Sequence, residues 1–454
     1  MELRNEYLLQ GTEGFAKGEL ESVTVGDGAI SLERQDGRYH ARGFYTAPMM
    51  PFVSFDRLMV SWNAETPPGT LVEAQVRVRQ GGVFGPWYSF GSWSPFLQRA
   101  GVWDPLGKPG VRGGTVRLDA PADQLQLRVR LQTRDDGASP VVRLLAVSVR
   151  PVGWQPQEGR PIERLLYAPA YSLAGRDPAF GPAMDLPVAA AGLMNRWGWD
   201  ILPEELAHAM YDRTLGSCGN LAFAAAAVGS FGCRAWAAYR DLGGLRAEIR
   251  EGYSAAVQFS GAPTPQQALE GGLPLAEGLA APAGQRMLVV RGFAGEGPEA
   301  QVLINDPADP AGPAAGDEPR RMPLAQFLAG WQEGIALLVH RGEKGAGGCR
   351  PQRSSCQLQA LGPLGSYLLE QQGIPCPLPV SGPKDPHPAC TLAYTGSEPA
   401  AHPTTAHKHF AFLQPGPKGE VRLPPEVLEA GGTVTVYAVD CRGGMMVAEL
   451  GGGR

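Results

Sequence analysis

The sequence predicts a multidomain chain. An all-β sandwich of jelly-roll type comes first, then an α+β domain whose helices precede its strands, then a small β-rich module. Three observations predict this. Short runs of period-two alternation fill residues 1–150. Alanine-rich helical stretches follow a Pro-rich segment at 151–161. Sequence rich in Gly, Pro and Ser returns over 342–454. A length of 454 residues suits roughly three domains. The 61 Gly and 42 Pro approach the level of a low-complexity chain, but 43 % hydrophobic residues and nine Trp point to packed cores with many tight turns.

Within 1–150, Leu71–Arg79 and Leu125–Leu131 alternate apolar and polar residues, and Leu144–Val149 is a more continuous apolar run. Pro67-Pro68-Gly69, Gly81-Gly82, Gly113-Gly114 and Asp136-Gly137 punctuate them as turns. Trp62, Trp87, Trp93 and Trp103 fall in this region. They read either as core between the sheets or as a face that stacks on sugar rings. The linker 151–161 separates this region from the next. Over 162–341 the helices are expected at Val188–Trp197, Pro203–Tyr211 and Asn220–Val228. The last is nearly all alanine and is expected to be buried all round. Strands are expected at Ala255–Phe259, Met287–Arg291, Gln301–Ile304 and Ile335–Val339. In the last region Val421–Leu423 and Thr433–Val439 read as strands.

Net charge is −5, and the basic residues are scattered arginines with only six lysines. That speaks against a nucleic-acid partner, which needs a basic face. No apolar run reaches the roughly 20 residues that span a bilayer. The start, Met1-Glu2-Leu3-Arg4-Asn5-Glu6, lacks the basic and apolar segments of a secretory signal, so a cytoplasmic location is expected. Cys349, Cys356, Cys376 and Cys390 lack the short spacing of zinc knuckles, and His402, His407 and His409 lie in a Thr/Pro/Ala-rich loop. With Cys441 they read as separate loop residues, with one or two disulfides, or metal binding by some of these Cys and His residues, as the alternatives. No metal and no cofactor is expected.

The middle region resembles family 39 of the cysteine peptidases, the bacteriocin-processing group. The residues that carry the resemblance are Leu288-Val289-Val290-Arg291-Gly292-Phe293, Ile304-Asn305-Asp306-Pro307 and Gly216–Phe223. Ser61–Thr70 resembles the sandwich that precedes the peptidase in one branch of that family. The resemblance implies a papain-like fold over 162–341 and a Cys-His-Asp triad. In the family the nucleophilic Cys opens a helix, with Pro two residues on and an aromatic-Gly pair at the helix end. Pro187 and Trp197-Gly198 keep that spacing, but Asp185 stands at the nucleophile position. Arg286 stands at the His position, and Asp306 keeps the third. No Gln lies in the residues just before Asp185, where the family holds its oxyanion donor.

A papain-like site needs a thiolate beside an imidazolium. Asp185 is expected instead as the helix N-cap, and Asp185, Arg286 and Asp306 as one carboxylate–guanidinium–carboxylate cluster without a titrating base. A pair of carboxylates acting by acid–base hydrolysis would require that Arg286 not neutralise them. The expected function is that of a catalytically inactive relative which binds a peptide or protein in the degenerate cleft, with a glycan on the sandwich. Two alternatives stand beside it. One is an active thiol hydrolase using Cys218, which opens the alanine-rich helix. The other is a structural scaffold.

Overall fold

A computed structural model describes residues 5–95, 110–173, 184–199, 201–260, 285–309 and 318–342. Of the C-terminal part it describes 354–362, 365–375, 391–395, 410–413, 416, 418–429, 433–439 and 445–451. The chain is mostly β. The first part is a twelve-stranded antiparallel sheet folded into a sandwich. Its main strands are β1 (Arg42–Thr46), β2 (Met50–Glu65), β3 (Thr70–Gln80), β4 (Tyr88–Trp93), β5 (Thr115–Thr133) and β6 (Val141–Pro151).

Strand β5 carries the fold. Its first half pairs with β2, from Thr115 opposite Met59 to Leu125 opposite Met50. Its second half pairs with β3 and β1. The alternation read in the sequence becomes an inside and an outside. Val72, Ala74, Val76 and Val78 are buried, as are Leu125, Leu127, Val129 and Leu131 across from them. Trp62 and Trp93 are core residues with no exposed surface, whereas Trp87 is half-buried on the outer face. Trp103 lies outside the described residues.

The middle part begins with helices α1 (Asp185–Asn195), α2 (Pro203–Met210) and α3 (Leu221–Ser230). Every residue of α3 is buried, as a helix that is apolar all round must be. Strand β7 (Arg234–Tyr239) and helix α4 (Leu242–Glu251) follow. Then come β8 (Ala255–Ser260), β9 (Gln285–Ala294), β10 (Gln301–Asn305), β11 (Arg320–Pro323), α5 (Leu324–Gly330) and β12 (Ile335–His340). The strands form an antiparallel sheet in the order β7-β12-β8-β9-β10-β11. Helices therefore also sit between strands, so the order is less strictly helices-first than the sequence predicts.

Strand β7 lies at the end of that sheet, and its outward N–H groups need partners. The sandwich supplies them. The Ala235 N–H donates to Asn63 Oδ1 (3.0 Å), the Ala237 N–H to Ser61 Oγ (2.8 Å) and the Tyr239 N–H to Ser148 Oγ (3.0 Å). Asn63 Nδ2 donates back to the carbonyls of Ala235 (2.7 Å) and Ala225 (3.2 Å). Polar residues buried at β2 and β6 thus complete a neighbouring sheet. The 151–161 segment is held against α4: the Gln157 N–H donates to Asp241 Oδ2, and Arg246 donates to the Glu158 carbonyl.

The C-terminal strands, among them Ser354–Ala360, Thr391–Thr395, Val434–Val439 and Met445–Leu450, form an eight-stranded sheet over a core of its own. Cys356 is buried there. Cys349, Cys376, Cys390, Cys441, His402, His407 and His409 lie outside the described residues. No helix among the described residues is long and apolar enough to cross a membrane.

Candidate functional site

A cleft of about 970 Å³ opens between the sandwich and the middle part. Asp185 and Leu186 at the start of α1, with Arg286 and Met287 on β9, line one side. Arg57 and Thr115 from the sandwich line the other, and Ser217 and Gly219 form part of the rim. The site assembles from local rules. Pro187 sits in the first turn of α1, where its missing N–H has no intrahelical partner to lose. The acidic Asp185 in that turn suits the positive end of the helix dipole.

Asp185 is not the N-cap that the sequence predicts. The helix begins at Asp185 itself, Met184 occupies the cap position, and no side chain caps the helix. Its carboxylate instead accepts the Met287 N–H at 3.0 Å. Burial raises its pKa above the ordinary 3.8, against the lowering effect of the backbone N–H groups around it.

Arg286 pairs with Asp306. Its Nη2 lies 3.1 Å from Asp306 Oδ2, with both side chains almost wholly buried. The contact is an ion pair without hydrogen-bond alignment, since neither of these two atoms has a hydrogen-bond partner. Burial raises the pKa of Asp306, and the Arg286 charge opposes that rise. Of the expected three-member cluster, the Arg286–Asp306 pair is present. Among the described residues no ion pair joins Asp185 to either partner. Asp185 accepts its N–H from Met287, on the strand that carries Arg286.

The remaining charges of the cleft come from Arg57, Arg112, Arg117 and Glu333. Arg57 is paired with Glu333, which also holds Arg150 at 2.9 Å. Arg112 and Arg117 are exposed at the mouth. Among the described lining residues there is no Cys and no His.

Cys218 does not open a helix as the sequence predicts. Asn220 is the N-cap of α3, with its side chain accepting from the N–H groups of Ala222 and Phe223. Cys218 lies two residues upstream, wholly buried, and its thiol donates to the Ala207 carbonyl at 3.5 Å. Its neighbours Ser217 and Gly219 line the cleft, but Cys218 does not. Cys233 is also buried, and burial pushes its thiol up to about 12. His340 is engaged elsewhere: it lies 2.7 Å from Glu248 and stacks on Tyr253. No group of three His, Cys, Asp or Glu side chains among the described residues is placed to hold a metal.

Sequence reasoning missed the part that Asn63, Ser61 and Ser148 play in placing the wall of this cleft. A signal was available, since polar residues interrupt otherwise apolar strands at those positions.

No curated protein matches the chain. Among solved structures, TmCBM61 in complex with β-1,4-galactotriose is 9 % identical at a TM-score of 0.18, covering 33 % of this chain and 91 % of that one. The C-terminal CBM6 of LamC, a marine laminarinase from Zobellia galactanivorans, is 12 % identical at 0.17, covering 32 % and 99 %. A family two carbohydrate esterase from Cellvibrio japonicus is 11 % identical at 0.17, covering 38 % and 44 %. At scores this low neither fold nor ligand carries over. Residues 7–149 match the family model of the peptidase C39 N-terminal domain, which relates the sandwich of this chain to C39-related proteins.

Proposed function

We propose that the chain is a catalytically inactive relative of the C39 peptidases that holds an extended peptide in the cleft between its sandwich and a papain-like domain over 162–341. In this reading 1–150 is the companion sandwich, 151–161 the linker and 342–454 an accessory module. The observation that carries the reading is the state of the three positions matching the family triad. Asp185 is tied to a backbone N–H, and Arg286 is locked onto Asp306. A carboxylate and a guanidinium there keep charge in the cleft but provide neither a nucleophilic thiolate nor a base that shuttles a proton near neutral pH.

The cleft keeps what a peptide needs. It has strand residues at the half-buried Gln258 and the exposed Ser260, hydroxyls at Thr115 and Ser217, and surplus positive charge from Arg112 and Arg117. The experiment is retention of a random peptide library on immobilised protein. The expected result is a retained set enriched in acidic peptides, lost when Ser260→Trp fills the cleft from its exposed edge. Equal retention by the wild type and Ser260→Trp would refute the reading.

A further inference from the structure

The outer face of the sandwich carries a second, unrelated set of charges. On β3 and β5, Glu73, Gln75 and Arg77 stand opposite Arg130, Arg128 and Gln126 in register. The arginines fall into two kinds. Arg130 is neutralised by an ion pair with Glu73. Arg77 and Arg128 are not. Arg77 Nε donates to Gln126 Oε1 (2.9 Å), and Arg128 Nε donates to Gln75 Oε1 (2.9 Å). In each case Nη2 donates to the same amide oxygen. A neutral amide thus stands where a carboxylate would ordinarily close a two-pronged arginine contact.

Aromatic rings hold the same two guanidinium groups from the side. Arg77 lies over Phe84 and Trp87, each at 4.8 Å, and Arg128 over Phe44 (5.1 Å) and Trp87 (4.2 Å). Among the described residues no carboxylate lies within ion-pair distance of either. Two like charges are therefore oriented side by side, half-buried, by partners that do not cancel them. Burial and the Arg77 charge pull the Arg128 pKa down, against smaller opposing effects of Glu73 and Glu21.

We propose that this face binds an acidic polysaccharide whose sugar rings carry carboxylates, seated along Arg77 and Arg128. A carboxylate meets the free edge of a guanidinium in plane, and an extended polymer suits the outer face of a sheet. Nucleic acid fits less well. The rings of Trp87 and Phe44 already carry guanidinium groups rather than offering bare faces for bases to stack on, and the whole chain is net acidic. An acidic peptide recognised by strand addition would need a free backbone edge, which β3 and β5 lack here because each is paired on both sides.

The test is affinity electrophoresis of the full chain in gels containing polygalacturonate, with dextran gels as reference and poly-glutamate or oligo-dT as competitors. The proposal predicts retardation by polygalacturonate and none by dextran. The double variant Gln75→Glu/Gln126→Glu places a carboxylate on each arginine and should weaken binding about tenfold or more, with folding checked by circular dichroism because it also removes the amide hydrogen bonds to Glu73 and the Ala47 carbonyl. Arg77→Gln/Arg128→Gln should weaken it likewise, and serves if the first variant fails to fold. The proposal fails if polygalacturonate causes no retardation, or if the folded variants are retarded as the wild type is. It also fails if poly-glutamate or oligo-dT competes more strongly than free polygalacturonate.

Discussion

Arg286 Nη2 lies 3.1 Å from Asp306 Oδ2 beneath the cleft, while the Asp185 carboxylate accepts the N–H of the very next residue, Met287. One strand thus serves both acidic groups with different atoms. Removing one partner of a buried pair leaves the other charge uncompensated. Asp306→Asn should therefore destabilise the protein by about 3 kcal/mol. The double variant Arg286→Met/Asp306→Asn should recover most of that loss, and urea denaturation of the three proteins measures both.

Asp185 gives a pH signature. Its pKa in the folded protein lies above the unfolded value, so the folded state binds its proton more tightly. The stability this contributes is full below the unfolded pKa and is lost as pH rises through the folded pKa. Asp185→Asn removes the titration and keeps an oxygen for the Met287 N–H. The stability of the wild type relative to Asp185→Asn should fall as pH rises from about 4 and level off above the folded pKa. Denaturation midpoints of both proteins across that range check the sign.

Asn63 and Gly229 form a coupled pair across the sandwich wall. A Cβ added at Gly229 would meet Asn63 Nδ2 at 2.5 Å. Asn63→Ala leaves the buried N–H and carbonyl of Ala235 without their Asn63 partners, at a cost of about 2–3 kcal/mol. Gly229→Ala alone should cost about 2 kcal/mol through overpacking. In the Asn63→Ala background the same change should cost less or stabilise, because the space is vacated and alanine favours the helix. A double-mutant cycle in denaturant gives the coupling.

The thiols make a labelling prediction. Cys218 and Cys233 are buried, and the Cys233 thiol is pushed up to about 12. Neither should react with iodoacetamide in native protein at mildly alkaline pH, and both should react in denaturant. Peptide mapping by mass spectrometry reads each site separately.

Much of the sandwich was legible because alternation is a local signal. Leu71–Arg79 and Leu125–Leu131 lie within β3 and β5, with the apolar set inward. The strand at Arg234–Tyr239 was not legible. Its apolar, alanine-rich sequence alternates nothing, and its edge is satisfied by Asn63, Ser61 and Ser148 from far along the chain. The candidate site shows the same division. The family resemblance points to Asp185, Arg286 and Asp306 together; Asp185 and Arg286 line one cleft, and Asp306 is paired with Arg286. That the guanidinium pairs with Asp306 while Asp185 accepts a backbone N–H is marked by no sequence pattern. The four tryptophans could not be sorted by spacing either, because core and outer face alternate residue by residue. Cross-strand register, which pairs Arg77 with Gln126 and Arg128 with Gln75, is likewise a property of the sheet rather than of either strand.

The cleft is proposed to bind peptide without cleaving it. The most direct measurement incubates the purified full chain and its Cys218→Ser variant, under reducing conditions, with a degenerate peptide library and reads new peptide termini by mass spectrometry. No new termini above the protein-free control are predicted for either. Termini that accumulate with time for the wild type and vanish in Cys218→Ser would contradict the account.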